Sequence, residues 1–253
     1  MSLAAKLARP EILALRPPML NPTPMGWTRL HANENPYPAP GARDANVRWY
    51  PEPYPDALEA GLAECYGVAA NQIIATRGSD EAIDLLVRAF CAAGHDGVLV
   101  FPPTFGMYEV SAQIQGAQVH RGLVTKQRGF ALDEALVVST YAPGTKLIFL
   151  CSPNNPTGNL VAAEVVEAVL ARYAGTALVV LDEAYIEFAG AASFASRLGE
   201  FENLVVLRTL SKAYGLAGAR CGAALANPAI VDVLRRLRPP YACLLYTSPS
   251  PRD

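Results

Sequence analysis

The stretch Leu207-Arg208-Thr209-Leu210-Ser211-Lys212-Ala213-Tyr214-Gly215-Leu216-Ala217-Gly218-Ala219-Arg220 gathers an amine, hydroxyls and a guanidinium after an apolar run, Leu204 to Leu207, that reads as a buried strand. Lys212 is one of only four lysines, the others being Lys6, Lys126 and Lys146. An amine desolvated beside a cation titrates lower and attacks carbonyls. Arg220 offers a guanidinium suited to a bidentate grip on phosphate, and Gly215 and Gly218 permit close backbone approach. Phosphate and aldehyde together suggest pyridoxal phosphate held as a Schiff base. A surface lysine at a strand exit is the plainer reading of this segment taken alone.

Four further segments carry groups of matching chemistry. Arg77-Gly78-Ser79-Asp80-Glu81 joins a short strand, Gln72 to Thr76, to a helix with Ile83, Leu86, Val87 and Phe90 on one face. The free amides of such a helix start can hold a phosphate, or Ser79 or Asp80 can simply cap it. Pro102-Pro103-Thr104-Phe105-Gly106-Met107-Tyr108 follows a strand, Gly97 to Phe101, and an aromatic there can stack on a planar ring or pack in the core. Ser152-Pro153-Asn154-Asn155-Pro156-Thr157-Gly158 follows the strand Lys146 to Cys151 and fixes amide donors between prolines. Asp182-Glu183-Ala184-Tyr185 ends the nearly pure aliphatic run Ala177 to Leu181, where ligands of open α/β sheets sit. A carboxylate buried there requires a cation, and a pyridinium nitrogen would serve.

Strands alternating with helices (from Asp56 to Gly67, around Val166 to Tyr173, and after Asn227-Pro228) give an α/β class with a mostly parallel sheet and helices on both faces. Residues 17–40 hold seven of the 21 prolines and read as an extended arm, with Asn33-Glu34-Asn35 and Tyr37 in Asx-turns or lining a ligand. Tyr50 and Tyr54, among alternate prolines, are held outward in a manner common at interfaces. With 21 basic and 23 acidic side chains the net charge is -2, so neither nucleic acid nor a membrane surface is indicated as a partner, and the partner is a small molecule. Cys65, Cys91, Cys151, Cys221 and Cys243 form no C-x-x-C pair, which points to the cytoplasm rather than to a disulfide framework or zinc. His31, His95 and His120 lack ligand spacing, so no metal is expected.

In this order the five motifs resemble the fold-type-I pyridoxal-phosphate aminotransferases, and within them the histidinol-phosphate aminotransferase family, from about Leu30 to Tyr241. The resemblance implies that Lys212 takes the cofactor as a Schiff base and then moves the substrate proton between Cα and C4′, and that Asp182 pairs with the pyridinium nitrogen. It further implies that Asn155 and Tyr185 bond the ring O3′ and that Tyr108 lies against the ring face. Ser79, Asp80, Thr209, Ser211 and Arg220 would surround the phosphate, with Tyr50 reaching the phosphate of the neighbouring subunit of a homodimer. Asn33 and Tyr37 would lie near the substrate. The implied reaction exchanges an amino group between glutamate and imidazole-acetol phosphate in histidine biosynthesis. An aromatic-amino-acid aminotransferase or a threonine-phosphate decarboxylase is the related alternative, and an inactive cofactor-binding fragment is the other.

The implied organisation is an N-terminal arm over residues 1–45, belonging in part to a small domain and to substrate and dimer contacts, and a cofactor-binding large domain over 46–242. The family's chain runs further, through a small domain whose arginines grip substrate carboxylate and phosphate. Residues 243–253, Cys243 to Asp253, show no helical or strand period and look like a non-native tail. A chain truncated at its C-terminal side, with the small domain largely missing, is therefore expected.

Overall fold

The structure is a computed structural model that describes residues 1–16, 27–30, 32–41, 48–51 and 54–241. Part of the proline-rich arm, His31 and the segment 242–253 lie outside the described residues. Among those described, seven strands make one sheet: β1 (Ile73–Thr76), β2 (Gly97–Val100), β3 (Gln118–Arg121), β4 (Thr145–Cys151), β5 (Leu178–Asp182), β6 (Leu204–Thr209) and β7 (Gly222–Ala226). Their order is β1-β7-β6-β5-β4-β2-β3. β7 runs antiparallel to both its neighbours, while every other pairing is parallel. The carboxyl ends of the six like-directed strands and the amino end of β7 therefore share one edge of the sheet.

The central strands are aliphatic because both sheet faces are covered. On one face pack α1 (Leu3–Leu7), α2 (Pro10–Leu13), α4 (Gly78–Phe90), α5 (Met107–Gln115) and α8 (Pro228–Leu237), against Ile74, Val98, Phe149, Val180 and Leu207. On the other pack α3 (Asp56–Tyr66), α6 (Glu134–Thr140) and α7 (Ala163–Arg172), against Leu99, Ile148, Val179 and Val206. Successive strand residues thus enter opposite cores, as the pleat requires. α3 ends at Gly67, left-handed at φ 67°, and α8 is capped by the Asn227 side chain on the Ala229 amide.

The sheet and its two-sided cover match the expectation from the strand and helix periods. β3 was not foreseen, because an edge strand with a single apolar residue, Val119, carries no hydrophobic period. Tyr50 and Tyr54 do not simply face outward: Tyr50 stacks on Tyr241 with centroids 4.5 Å apart, and the Arg238 guanidinium lies 5.5 Å from the Tyr54 ring centroid. Arg238 also bonds the buried Glu59 at 2.5 Å, tying the end of α8 to α3.

Candidate active site

A cavity of about 250 Å³ opens at the shared strand edge, walled by segments that leave β1, β2, β4, β5 and β6 and by the one that enters β7. After β1, the first turn of α4 contributes Gly78, Ser79 and Asp80. The helix N-cap is Arg77, and its side chain caps nothing. Neither Ser79 nor Asp80 is the cap, so the helix start faces the cavity with the positive end of its dipole. The backbone approach there is close. A Cβ on Gly222 would sit 2.6 Å from the Gly78 carbonyl carbon and 2.7 Å from the Ser79 nitrogen, and one on Gly78 would meet Arg220 Nη2 at 2.9 Å.

Arg220 reaches this helix start because β7 is antiparallel, so the segment that enters it lies at the edge that β6 has just left. Its backbone is left-handed at φ 51°, a conformation costly to any residue with a Cβ. Its guanidinium lies 3.5 Å from Asp80 Oδ2 and 3.5 Å from Ser211 Oγ. The Thr209 hydroxyl donates to the Cys221 carbonyl at 3.3 Å and accepts from the Ser211 amide at 3.2 Å, which fixes the turn into Lys212. Helix start, hydroxyl and guanidinium together can hold a doubly charged anion.

The opposite wall holds Asp182, which is buried. Its Oδ2 accepts from the Tyr108 phenol at 2.6 Å and its Oδ1 from the Ala184 amide at 3.1 Å. Among the described residues it forms no salt bridge. Burial pushes its carboxyl above the usual carboxylate range, although the two hydrogen bonds favour the ion. The same burial, together with the Asp182 charge, pushes the Cys151 thiol up to about 12 and the Tyr108 phenol well above its ordinary value. Such a carboxylate, already oriented, suits a cation entering the cavity.

Lys212 closes the space between these walls. It is exposed rather than desolvated, and its Nζ lies 5.4 Å from the centroid of the Tyr185 ring. The Asn155 side-chain amide points to the Tyr185 hydroxyl at 3.5 Å, so both polar ends converge on one point of the wall.

Of the residues singled out in the sequence, Ser79, Asp80, Asn155, Asp182, Tyr185, Thr209, Ser211, Lys212 and Arg220 line this one cavity. Tyr108 does not. α5 starts at Met107 and turns Tyr108 into the core, where it is fully buried and stacked on Phe149 at 4.6 Å, behind Asp182. The aromatic on the cavity wall is Phe105, three residues earlier in the loop. Asn33, Tyr37 and Tyr50 are exposed and line no part of the cavity in this chain. Within the arm, Glu34 Oε1 accepts from the Arg29 guanidinium at 2.6 Å and from the Tyr50 amide at 2.5 Å. Gly78, Cys151 and Ala184 also border the cavity, and only the glycine carried a sequence signal, as the turn before a helix.

The chain belongs to the class I and II aminotransferase family, which it matches over residues 28–252. It is 49% identical over 218 residues to the histidinol-phosphate aminotransferase of Stenotrophomonas maltophilia (strain R551-3), a match covering 85% of this chain and 60% of that protein. The chain thus spans about 60% of the length of the curated relatives it matches. Among solved structures it is similar to the histidinol-phosphate aminotransferase of Clostridium acetobutylicum, with a TM-score of 0.70 at 22% identity over 80% of this chain and 59% of the other. It is also similar to the L-threonine-O-3-phosphate decarboxylase of Porphyromonas gingivalis, with a TM-score of 0.67 at 24% identity over 79% and 58%. At these identities the two structures show the shared fold alone.

Proposed function

We propose that this chain carries the pyridoxal-phosphate site of an aminotransferase that exchanges an amino group between glutamate and imidazole-acetol phosphate, in histidine biosynthesis. The observation that carries the reading is the buried Asp182, which forms no salt bridge among the described residues, facing the same cavity of about 250 Å³ as the Lys212 amine and the amino end of α4. The residues present fit a phosphorylated pyridine aldehyde: a carboxylate for the ring nitrogen, an amine for the aldehyde, and a helix start with Arg220 for the phosphate. The 49% identity to a histidinol-phosphate aminotransferase favours that substrate over that of the threonine-phosphate decarboxylase, a fold relative at 24%.

When bound, the cofactor supplies a ring that takes up the charge left as the substrate Cα loses its proton. Asp182 would pair with the protonated ring nitrogen, and the Tyr108 phenol and the Ala184 amide hold its two oxygens in place. Lys212 would hold the aldehyde carbon and serve as general base and acid for the substrate Cα proton, work typically worth about 10² to 10⁴ in rate. Asn155 and Tyr185 would orient the ring hydroxyl, and Phe105, the aromatic on the cavity wall, would cover the ring face in place of Tyr108. Ser79, Asp80, Thr209, Ser211 and Arg220 would surround the phosphate.

In this reading the protein is a cytoplasmic homodimer in which Tyr50 reaches the neighbouring subunit's phosphate and Asn33 and Tyr37 border the substrate. Residues 46–242 form the large domain and 1–45 the arm, whose α1 and α2 pack into that domain's core. Cys65, Cys91, Cys151 and Cys221 are all free thiols, in keeping with a reducing compartment. Mixing the cofactor-loaded protein, extended to the length of its curated relatives, with single amino donors tests the substrate. L-histidinol phosphate and glutamate are each expected to discharge the cofactor's visible absorption into that of its amine form. Carbon dioxide release from threonine phosphate, or a response to aromatic amino acids but not to histidinol phosphate, would overturn the assignment.

A further inference from the structure

We infer that Arg208 is a positioning residue for the cofactor site, acting from the opposite face of the sheet by clasping Glu183 and Glu187. The inference rests on the cofactor reading above. β5 and β6 are neighbours whose ends pair Asp182 with Leu207, and the Glu183 amide donates to the Leu207 carbonyl at 3.0 Å. Because a pleat alternates, the cavity receives Asp182 and Thr209 while Glu183 and Arg208 turn to the α3 and α7 side. There the Arg208 guanidinium lies 2.7 Å from Glu187 Oε1, 3.7 Å from Glu183 Oε2 and 3.2 Å from Ser193 Oγ, with the Tyr66 ring centroid 4.5 Å away. Glu183 is held in turn by the Ser193 hydroxyl and by the Phe194 amide at 2.8 Å.

The two carboxylates bracket Ala184 and Tyr185. The first of these supplies the amide that holds Asp182 Oδ1, and the second lines the cavity. Arg208 itself leads directly into Thr209, Ser211 and Lys212. One guanidinium thus fastens the segment bearing the carboxylate to the segment bearing the amine, from behind, without touching the cavity. Arg208 and Glu183 are both buried, and burying ions costs about as much as their pairing returns, so apolar residues would hold the two strands together equally well. What apolar residues would not do is fix the register of Asp182 and Tyr185 against Lys212.

The test uses the full chain loaded with pyridoxal phosphate, as Arg208→Lys and as the charge-neutral pair Glu183→Gln with Arg208→Met. The double variant leaves only the partly exposed Glu187 without its cation and no fully buried charge, and is expected to melt close to the wild type. Its cofactor affinity should fall by about tenfold or more, with the pH midpoint of the visible absorption displaced. Arg208→Lys keeps the charge but replaces the planar fork that spans Glu183 and Glu187 with one compact ammonium, and should lie between. Unchanged affinity and an unchanged pH midpoint in a folded double variant would overturn the inference, as would a loss of affinity that Arg208→Lys restores in full. A wild type that develops no visible band with pyridoxal phosphate would instead overturn the cofactor reading itself.

Discussion

Replacing Asp182 by Asn removes one charge and almost no volume from the cavity wall. The amide can still accept from Ala184 through its oxygen and donate to the Tyr108 oxygen through its nitrogen, so both contacts that hold Asp182 survive in altered polarity. Two effects of opposite sign follow. Burial raises the Asp182 pKa in the folded state, so the stability it contributes is present below the ordinary carboxylate range and is lost as pH rises through its raised value. Asp182→Asn lacks that dependence, and the cofactor-free variant should melt no lower than the wild type at neutral pH, with the difference shrinking or reversing in acid. The cofactor should bind more weakly. Breaking a buried ion pair costs about 3 to 5 kcal/mol when the partner stays charged, and a ring nitrogen can shed its proton, so the lower end applies, about a hundredfold in affinity. Thermal melts across pH with and without cofactor, and absorption titrations with pyridoxal phosphate, read both effects. An affinity within threefold of wild type, or a cofactor-free variant that is distinctly less stable at neutral pH, would refute the assignment of Asp182 as the buried carboxylate that pairs with the ring nitrogen.

The remaining predictions concern the rest of the cavity wall. Gly222→Ala drives a methyl to within 2.6 Å of the α4 start, and is expected to destabilise by about 1 to 3 kcal/mol and to weaken phosphate-dependent cofactor binding, seen by melting and titration. Arg220→Gly relieves a left-handed backbone at φ 51°, which is worth about 1 kcal/mol. Its half-exposed pair with Asp80 adds little, so the cofactor-free melt should hold or rise while affinity for pyridoxal phosphate falls. Tyr108→Phe leaves Asp182 Oδ2 without its donor and raises the carboxyl further, so it should cost about 1 to 3 kcal/mol at neutral pH and less in acid, measured by denaturant unfolding at both.

The strands that frame the cavity were legible because β4, β5 and β6 are unbroken apolar runs ended by polar clusters, and a strand buried on both faces has little else it can be. The chemistry at their ends was legible for the same reason: Asp182, Lys212 and the turn at Gly78 all stand at a change from apolar to polar. What local sequence did not carry was direction and facing. Nothing in Gly222 to Ala226 says that β7 runs antiparallel, yet that is what returns Arg220 to the phosphate end. Nothing in Phe105 and Tyr108 says which of two aromatics three residues apart faces the cavity; the start of α5 at Met107 decides it. Glu59 and Arg238, 179 positions apart, could be paired only by the packing of α3 beside the end of α8. The same limit hid the Arg208 clasp, since alternation at a strand end places a charge behind the sheet without marking its partner.

Reduction by borohydride in the presence of pyridoxal phosphate, followed by peptide mapping, asks most directly whether one amine in this chain is built to take the cofactor. One pyridoxyl group per chain on Lys212 is expected, with the visible band and the label both lost in Lys212→Ala. Label spread over Lys6, Lys126 and Lys146, or a band that persists without Lys212, would contradict the cofactor site described above.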